Sequence, residues 1–349
     1  MVACYFTADP VDKVLREPLD RVLRPLSTWS KPSHLRFTTI DEKGILKSHY
    51  SGLAGARRNP ASICFQALEY WGKCQVSLFE NGAYDPQARA FFLNSANWLL
   101  EHASRTTHGL VWQYDFDYPV YNMKAPWISA LAQGLSVHVL TRATYLTGDK
   151  KYLDAARDAL GPFSVDTRDG GVRVVEQETP DAWWYAAYPA PDGSPMALNG
   201  MLFALFGIHE FHVATRDERA RVLYENGLRA VRMRLADYDA PVQTLYDRRG
   251  HRASPQYHRV HVNQMRYLYA ITGDTRFQEY AERWAEYPVQ GLMPLPRRLF
   301  LSLAGGVFPK MDVLICAITL VLVLSIVWAV LLVRRLLPRR AATAARAAQ

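Results

Sequence analysis

The chain has 349 residues, 49% of them hydrophobic and 21% charged, enough apolar material for a large buried core and too much for intrinsic disorder to describe it. The formal net charge of +8 is concentrated at one end: residues 334–349 hold five arginines and no acid, so the rest of the chain carries only +3, too little for the global basic field of a nucleic-acid-binding surface. Cys4, Cys64, Cys74 and Cys316 lie far apart without C-x-x-C spacing, which excludes a disulfide scaffold and a zinc ribbon.

Residues 1–58 are mixed and polar without a clear period and read as an N-terminal segment. Residues 59–287 read as a helix-rich body in which one local pattern recurs. An apolar helix ends, a short turn closes on Asp, and a charged amphipathic helix begins, at Asp85, Asp149, Asp217 and Asp274. Asp is a preferred N-cap because its carboxylate accepts the unpaired amides of the first turn, and a preceding Gly suits the left-handed end of a helix. Each occurrence is therefore predicted to be the turn of a helical hairpin. Four hairpins at about 60-residue intervals predict a mainly α, closed or curved array of the α/α-toroid type, with a four-helix bundle carrying additions as the competing arrangement.

Three stretches break the helical pattern: residues 106–124, 165–195 and 238–254, rich in Tyr, Trp, Asp and Pro. In a toroid such loops gather at one mouth of the cavity, where they either bind a ligand or seal the barrel end. Sugars suit aromatic loops, because their C–H faces stack on rings while their hydroxyls need polar edges. Residues 288–312 are rich in Pro and Gly and read as a linker. Val313 to Val333 is a run of 21 residues without a charge, which at 1.5 Å per residue spans about 30 Å, a hydrocarbon core. It predicts a single C-terminal transmembrane helix followed by a basic tail. The arginines after it favour a cytoplasmic tail, yet the N-terminus shows no signal peptide, so the side of the large domain is left open.

Three segments resemble the C-terminal domain of the D-glucuronyl C5-epimerases, which convert glucuronic to iduronic acid within a polysaccharide. They are residues 124–160 with their W-I-S-A-x-A-Q-G core, residues 184–211 (WYAAYPAPDGSPMALNG and onward), and residues 244–274 with Y-D-x-R followed by Y-H-x-x-H-x-N-Q. The resemblance implies an α/α barrel, an isomerase needing no organic cofactor, and a uronate-bearing polysaccharide as partner. Tyr188, Tyr246 and Tyr257 match the family's catalytic tyrosines and Arg249 its carboxylate-binding arginine. The roles expected are proton transfer by Tyr257 and Tyr188 on opposite faces of the sugar, with Tyr246 supporting.

The chemistry is consistent with these residue types. Epimerisation removes a weakly acidic proton beside a carboxylate and returns one to the other face, so an acid and a base must flank the ring while a cation neutralises the carboxylate. A phenol, ordinarily ionising near pH 10, serves as base only where a cation stabilises the phenolate, and Arg249, three residues from Tyr246, is placed to supply one and to clamp a carboxylate. Asn199, Asn263, Gln264 and Gln133 are candidates for sugar hydroxyls or for buried structural amides. His258 and His261, three apart, are candidates for substrate contact, with no third ligand to suggest a metal. Trp184 is a candidate stacking platform, and Trp127 reads as core.

The chain departs from the family pattern in two ways. Ala187 stands where the pattern has a Glu before the tyrosine, with Glu176 and Glu178 as possible substitutes, and the family's N-terminal β-rich region, which brings tyrosines to the cleft, has no clear counterpart. The competing functions are a polysaccharide lyase sharing the C5 abstraction and a non-catalytic glycan binder on the same fold. A homodimer is the assembly considered.

Overall fold

The computed structural model describes residues 35–50, 55–175, 179–240 and 242–287, together with Trp328. Eight helices pair into four hairpins among the described residues: α1 (Pro60–Asn81) with α2 (Pro86–Glu101), α3 (Ala130–Thr147) with α4 (Lys150–Asp158), α5 (Leu198–Thr215) with α6 (Glu218–Arg234), and α7 (Pro255–Thr272) with α8 (Thr275–Glu286). All four predicted aspartates cap the second helix of a hairpin: Asp85 accepts from Ala88 N at 2.6 Å, Asp149 from Lys151 N at 3.0 Å, Asp217 from Ala220 N at 3.1 Å and Asp274 from Arg276 N at 3.2 Å. The first helices end in a left-handed residue, Gly82, Gly148, Arg216 or Gly273.

The first helices form the inner row. α1 packs on α3, α3 on α5 and α5 on α7, while each second helix covers its own partner. The row is not closed, because among the described residues α1 and α7 share no extended interface. The α3–α5 interface is the tightest. A Cβ on Gly134 would sit 2.3 Å from Ala204 Cα, and one on Gly207 would sit 1.9 Å from the Gly134 carbonyl oxygen, so only hydrogens fit where the two backbones meet. The same pair is tied by a polar cluster: Arg142 on α3 grips Glu210 on α5 through two bonds of 2.8 and 2.9 Å, and His138 also meets that carboxylate.

Because every inner helix returns through its outer partner, the inner helices run parallel. The tight turns lie at one end of the row and the three long connections at the other. Two of those connections carry short hairpins, β4 (Ser104–Thr106) with β5 (Gly109–Val111), and β6 (Arg173–Val175) with β7 (Trp183–Tyr185).

The N-terminal segment differs from its expectation. Residues 35–57 form an antiparallel sheet, β1 (Leu35–Ile40), β2 (Leu46–Tyr50) and β3 (Ala56–Arg57). Ile45 and Leu46 pack on Ile63 and Trp98, Arg58 pairs with Asp41 at 2.6 Å, and Asn59 both caps α1 and donates to the Tyr50 hydroxyl at 2.6 Å. The segment thus joins the helical body rather than preceding it, and a small β-element with a tyrosine does exist on this chain. No helix among the described residues is long and apolar enough to cross a membrane; the span 313–333 lies outside them save for Trp328.

The caps differ in what else they hold. Asp274 also pairs with Arg232 of α6 at 2.8 Å and with Arg276, and these bonds, Arg276 first, hold its carboxyl down to about 2. The Asp149 carboxylate meets the amide and the ammonium of Lys151 in its own first turn. Replacing Asp149 by Ala removes an ordinary cap, and Asp274→Ala is expected to cost more, about 2 kcal/mol, since the tie to Arg232 goes as well. Thermal unfolding of the two variants at pH 7 checks the order. The Asp274 contribution is present above pH 3.8 and fades as pH falls toward 2, so the two variants should converge in acid.

Candidate active site

The three long connections meet in a group of phenols. Tyr118 and Tyr121 flank a 3₁₀ turn (Pro119–Tyr121) between β5 and α3. Tyr188 follows β7. Tyr246 lies in the connection before α7, where the bridge between Leu245 and Arg252 folds residues 245–252 into a tight loop. Tyr257 stands in the first turn of α7, whose N-cap Ser254 accepts from the Tyr257 amide at 3.3 Å. The Tyr188 and Tyr246 hydroxyls are 3.2 Å apart. Tyr188 stacks on Tyr118 with centroids 5.5 Å apart, Tyr121 leans on Tyr188 at 4.6 Å, and Tyr257 meets Tyr246 edge-on at 5.0 Å. Beneath them Trp127 stacks on Tyr114 at 3.9 Å, and Tyr50 of the N-terminal sheet meets Phe116 at 4.8 Å.

Tyr188, Tyr246 and Tyr257 are therefore brought together, and Tyr118 and Tyr121 join them. The sequence marked the latter only as part of an aromatic-rich loop, a signal too coarse to pick out two rings. Tyr257 keeps 36% of its surface exposed and forms the open edge of the group.

Arg249 sits at the rim with its guanidinium 5.6 Å over the Tyr121 ring, not over Tyr246. It donates to Asp192 at 2.9 Å and to the Gly193 carbonyl at 2.6 Å, and Asp192 is itself exposed. Its neighbour Arg248 turns the other way, pairing with Asp237 at 3.1 Å and lying against Met196. Burial raises Tyr188 and Tyr246 well above the ordinary phenol value, neighbouring phenols add to this, and burial raises Tyr257. Tyr118 is pushed to about 12 by burial. The expectation that Arg249 holds Tyr246 toward its phenolate is corrected: the neighbours that act on Tyr246 are other phenols, so the tyrosines rest as neutral proton donors.

Asp247 was not singled out by sequence. Its carboxylate is fully buried and accepts four bonds: from the Arg249 and His251 amides at 3.0 and 3.2 Å, from the Tyr121 hydroxyl at 2.7 Å and from His251 Nδ1 at 2.7 Å. It stitches the 3₁₀ turn to the 245–252 loop.

The remaining sequence candidates lie elsewhere. Gln133 is wholly buried on α3 and donates to the Leu110 and Ala159 carbonyls, fastening two loops to the helix. His258 Nδ1 accepts from the Thr244 amide at 3.1 Å, so its Nε2 donates to the Trp284 carbonyl at 2.8 Å, and His261 bonds the Thr244 hydroxyl at 2.8 Å. Gln264 donates to the Asn199 carbonyl at 3.1 Å, and Asn263 accepts from Arg266 on its own helix at 3.4 Å. Trp184 is 1% exposed and stacked on Tyr238. Apart from Asn199, whose buried side-chain oxygen has no hydrogen-bond partner among the described residues, these side chains meet protein partners rather than the phenol group. No group of three metal-binding side chains occurs among the described residues. Ala187 is buried against Gly200, where an added Cβ would come within 2.4 Å of the Ala187 methyl, so position 187 points into the helix row rather than at the phenols. Glu176 and Glu178 lie outside the described residues.

The chain is an open row of α-hairpins whose long connections bring together phenols with Arg249 at their edge, and comparison with known proteins gives the family. Residues 105–286 match the D-glucuronyl C5-epimerase C-terminus family, and the chain belongs to it. An uncharacterised protein of Methanocaldococcus jannaschii is 34% identical, over 51% of this chain and 58% of that one. The D-glucuronyl C5-epimerase of Caenorhabditis elegans is 36% identical, over 46% of this chain and 29% of that one. The match thus spans little more than half of one curated relative and under a third of the other. Among solved structures, the cellobiose 2-epimerase of Bacillus thermoamylovorans B4167 overlaps 77% of this chain and 71% of its own, at 16% identity and a TM-score of 0.45.

The raised phenols fix an expected titration. A group whose folded value lies above its unfolded one contributes stability below the unfolded value and loses it as pH rises. Tyrosine absorbance followed to high pH should show the site phenols ionising only well above pH 10, together with unfolding, and Tyr188→Phe with Tyr246→Phe should leave the amplitude near pH 10 unchanged. His261, pushed down to about 3 by burial, works in the opposite direction: its contribution is present above pH 6.5 and is lost as the pH falls toward 3.

Proposed function

We propose that the chain is a polysaccharide uronate C5-epimerase, converting D-glucuronate to L-iduronate residues by removing the C5 proton and returning one to the other face. The observation that carries this is the paired Tyr188 and Tyr246 hydroxyls, 3.2 Å apart in a group of five phenols, with Arg249 at its rim. On this reading a uronate carboxylate takes up the free donors of Arg249, competing with the exposed Asp192 for the guanidinium. Charge then develops on the carboxylate as the proton leaves, and a guanidinium in place beforehand stabilises it without reorganisation. The desolvated phenols suit reprotonation, since each holds its proton at neutral pH until a carbanion-like centre takes it. The apolar run 313–333 anchors the chain to a membrane on this reading.

The test is deuterium incorporation at C5 when the full-length chain is incubated in heavy water with a glucuronic-acid polymer such as heparosan. Tyr188→Phe should slow exchange by about 10²- to 10⁴-fold, the usual contribution of a positioned proton donor. Arg249→Ala should slow it by roughly 10- to 100-fold, the worth of a charge-assisted bond. New ultraviolet absorbance from an unsaturated uronate would mark a lyase instead. Polymer binding without exchange would mark a glycan binder.

A further inference from the structure

Proton return is well provided for by the phenols, but proton removal is not. The phenols are neutral, position 187 offers only a methyl packed on Gly200, and the buried Asp247 carboxylate has both oxygens taken by four donors. Asp192, exposed at the rim, is engaged by Arg249. Among the described residues, His251 faces the group with a ring nitrogen to spare. Its side chain is 30% exposed, and its ring lies edge-on to Tyr121 at 6.2 Å. Its carbonyl accepts from the Tyr246 amide at 2.6 Å, which helps close the 245–252 loop.

The tautomer of His251 follows from its partner. A carboxylate only accepts, so the Nδ1 facing Asp247 Oδ2 at 2.7 Å carries the hydrogen and Nε2 carries the lone pair. Among the described residues no protein group bonds that Nε2. Arg249 and His251 flank the same Tyr121 ring, at 5.6 and 6.2 Å. That arrangement suits a substrate whose acidic proton sits on the carbon next to its carboxylate: the cation holds the carboxylate, and the imidazole meets the neighbouring C–H.

We propose that His251, oriented by Asp247, is the base that takes the C5 proton of the bound uronate, with the Tyr188–Tyr246 pair returning a proton to the opposite face. This rests on the epimerase reading. The C5–H bond breaks, the proton passes to Nε2, and the electron pair moves into the carboxylate as an enediolate held by Arg249. A new C5–H bond then forms with a proton from the Tyr188 hydroxyl. Tyr188 is reprotonated through Tyr246 and the imidazolium returns its proton to solvent, so the enzyme is restored with no oxidant or cofactor. His251 is a catalytic residue in this scheme and Asp247 a positioning one.

The test is C5 deuterium exchange with the same glucuronic-acid polymer, using the full-length chain. His251→Ala should lose about 10²- to 10⁴-fold in exchange rate, keep its polymer affinity, and regain activity when imidazole is added. Asp247→Asn should lower kcat more than it raises KM. Exchange surviving in His251→Ala within tenfold of the unchanged chain overturns the assignment and leaves the epimerase reading standing. Loss of exchange together with loss of polymer binding, or without imidazole rescue, also overturns it. No exchange by the unchanged chain on any uronate polymer overturns both.

Discussion

The contact of α3 with α5 sets the spacing on which the rest of the structure depends. Gly134 and Gly207 let two backbones meet with no side chain between them, and the Arg142–Glu210–His138 cluster holds the same helices in register farther along. Burying such charges is costly unless they are paired, and breaking one partner of a buried pair costs on the order of 3 kcal/mol. The register of the inner row is therefore specific as well as tight. Burial and the bonds from His138 and Arg142 act in opposite directions on Glu210, and the bonds prevail, holding its carboxyl down at about 2.

From that spacing the site follows. Parallel inner helices put their N-termini at one end, and the connections dock onto those ends by backbone bonds: the Ala186 carbonyl accepts from Ala130 N at the start of α3, and the Tyr246 carbonyl accepts from Leu198 N at the start of α5. Tyr188 and Tyr246 are thus placed by the chain segments that satisfy the helix ends. Gln133 does the same for the first connection, fixing the carbonyls of Leu110 and Ala159 from within α3. The distinctive A-Q-G element is read best as scaffold: its Gln ties loops and its Gly allows helix contact.

The hairpins were legible because their signal is local. An Asp whose side chain caps a helix, preceded by a residue suited to a left-handed turn, needs nothing distant to act, and the four aspartates fall where the pattern puts them. The sheet of residues 35–57 was not legible, because its strands are short and Ile45 and Leu46 acquire their burial from Ile63 and Trp98, far along the chain. The three matched tyrosines were found by motif. Tyr118, Tyr121, Asp247 and His251 were passed over because their importance is tertiary: Asp247 reads in sequence as one more loop acid, and only its full burial among four donors marks it. Gln133, Gln264, His258, His261 and Trp184 are motif residues whose partners are the protein's own backbone, the Thr244 hydroxyl and a neighbouring ring.

The loop of residues 245–252 shows how one short segment can separate structural from chemical duty. Asp247 turns inward and collects the amides of Arg249 and His251, which fixes the loop's curvature. Arg248 is sent toward Asp237 and Met196, anchoring the loop to the body, and Arg249 is sent to the phenol side. Two adjacent arginines of equal charge therefore do unlike work, and substituting one cannot stand in for the other. All four inner helices also begin at this end, α1 at Asn59 beside Tyr50 and α7 at Ser254 beside Tyr257, so the partial positive charge of helix N-termini adds to Arg249. The end of the row that carries neutral phenols is thereby also the end that favours an anion.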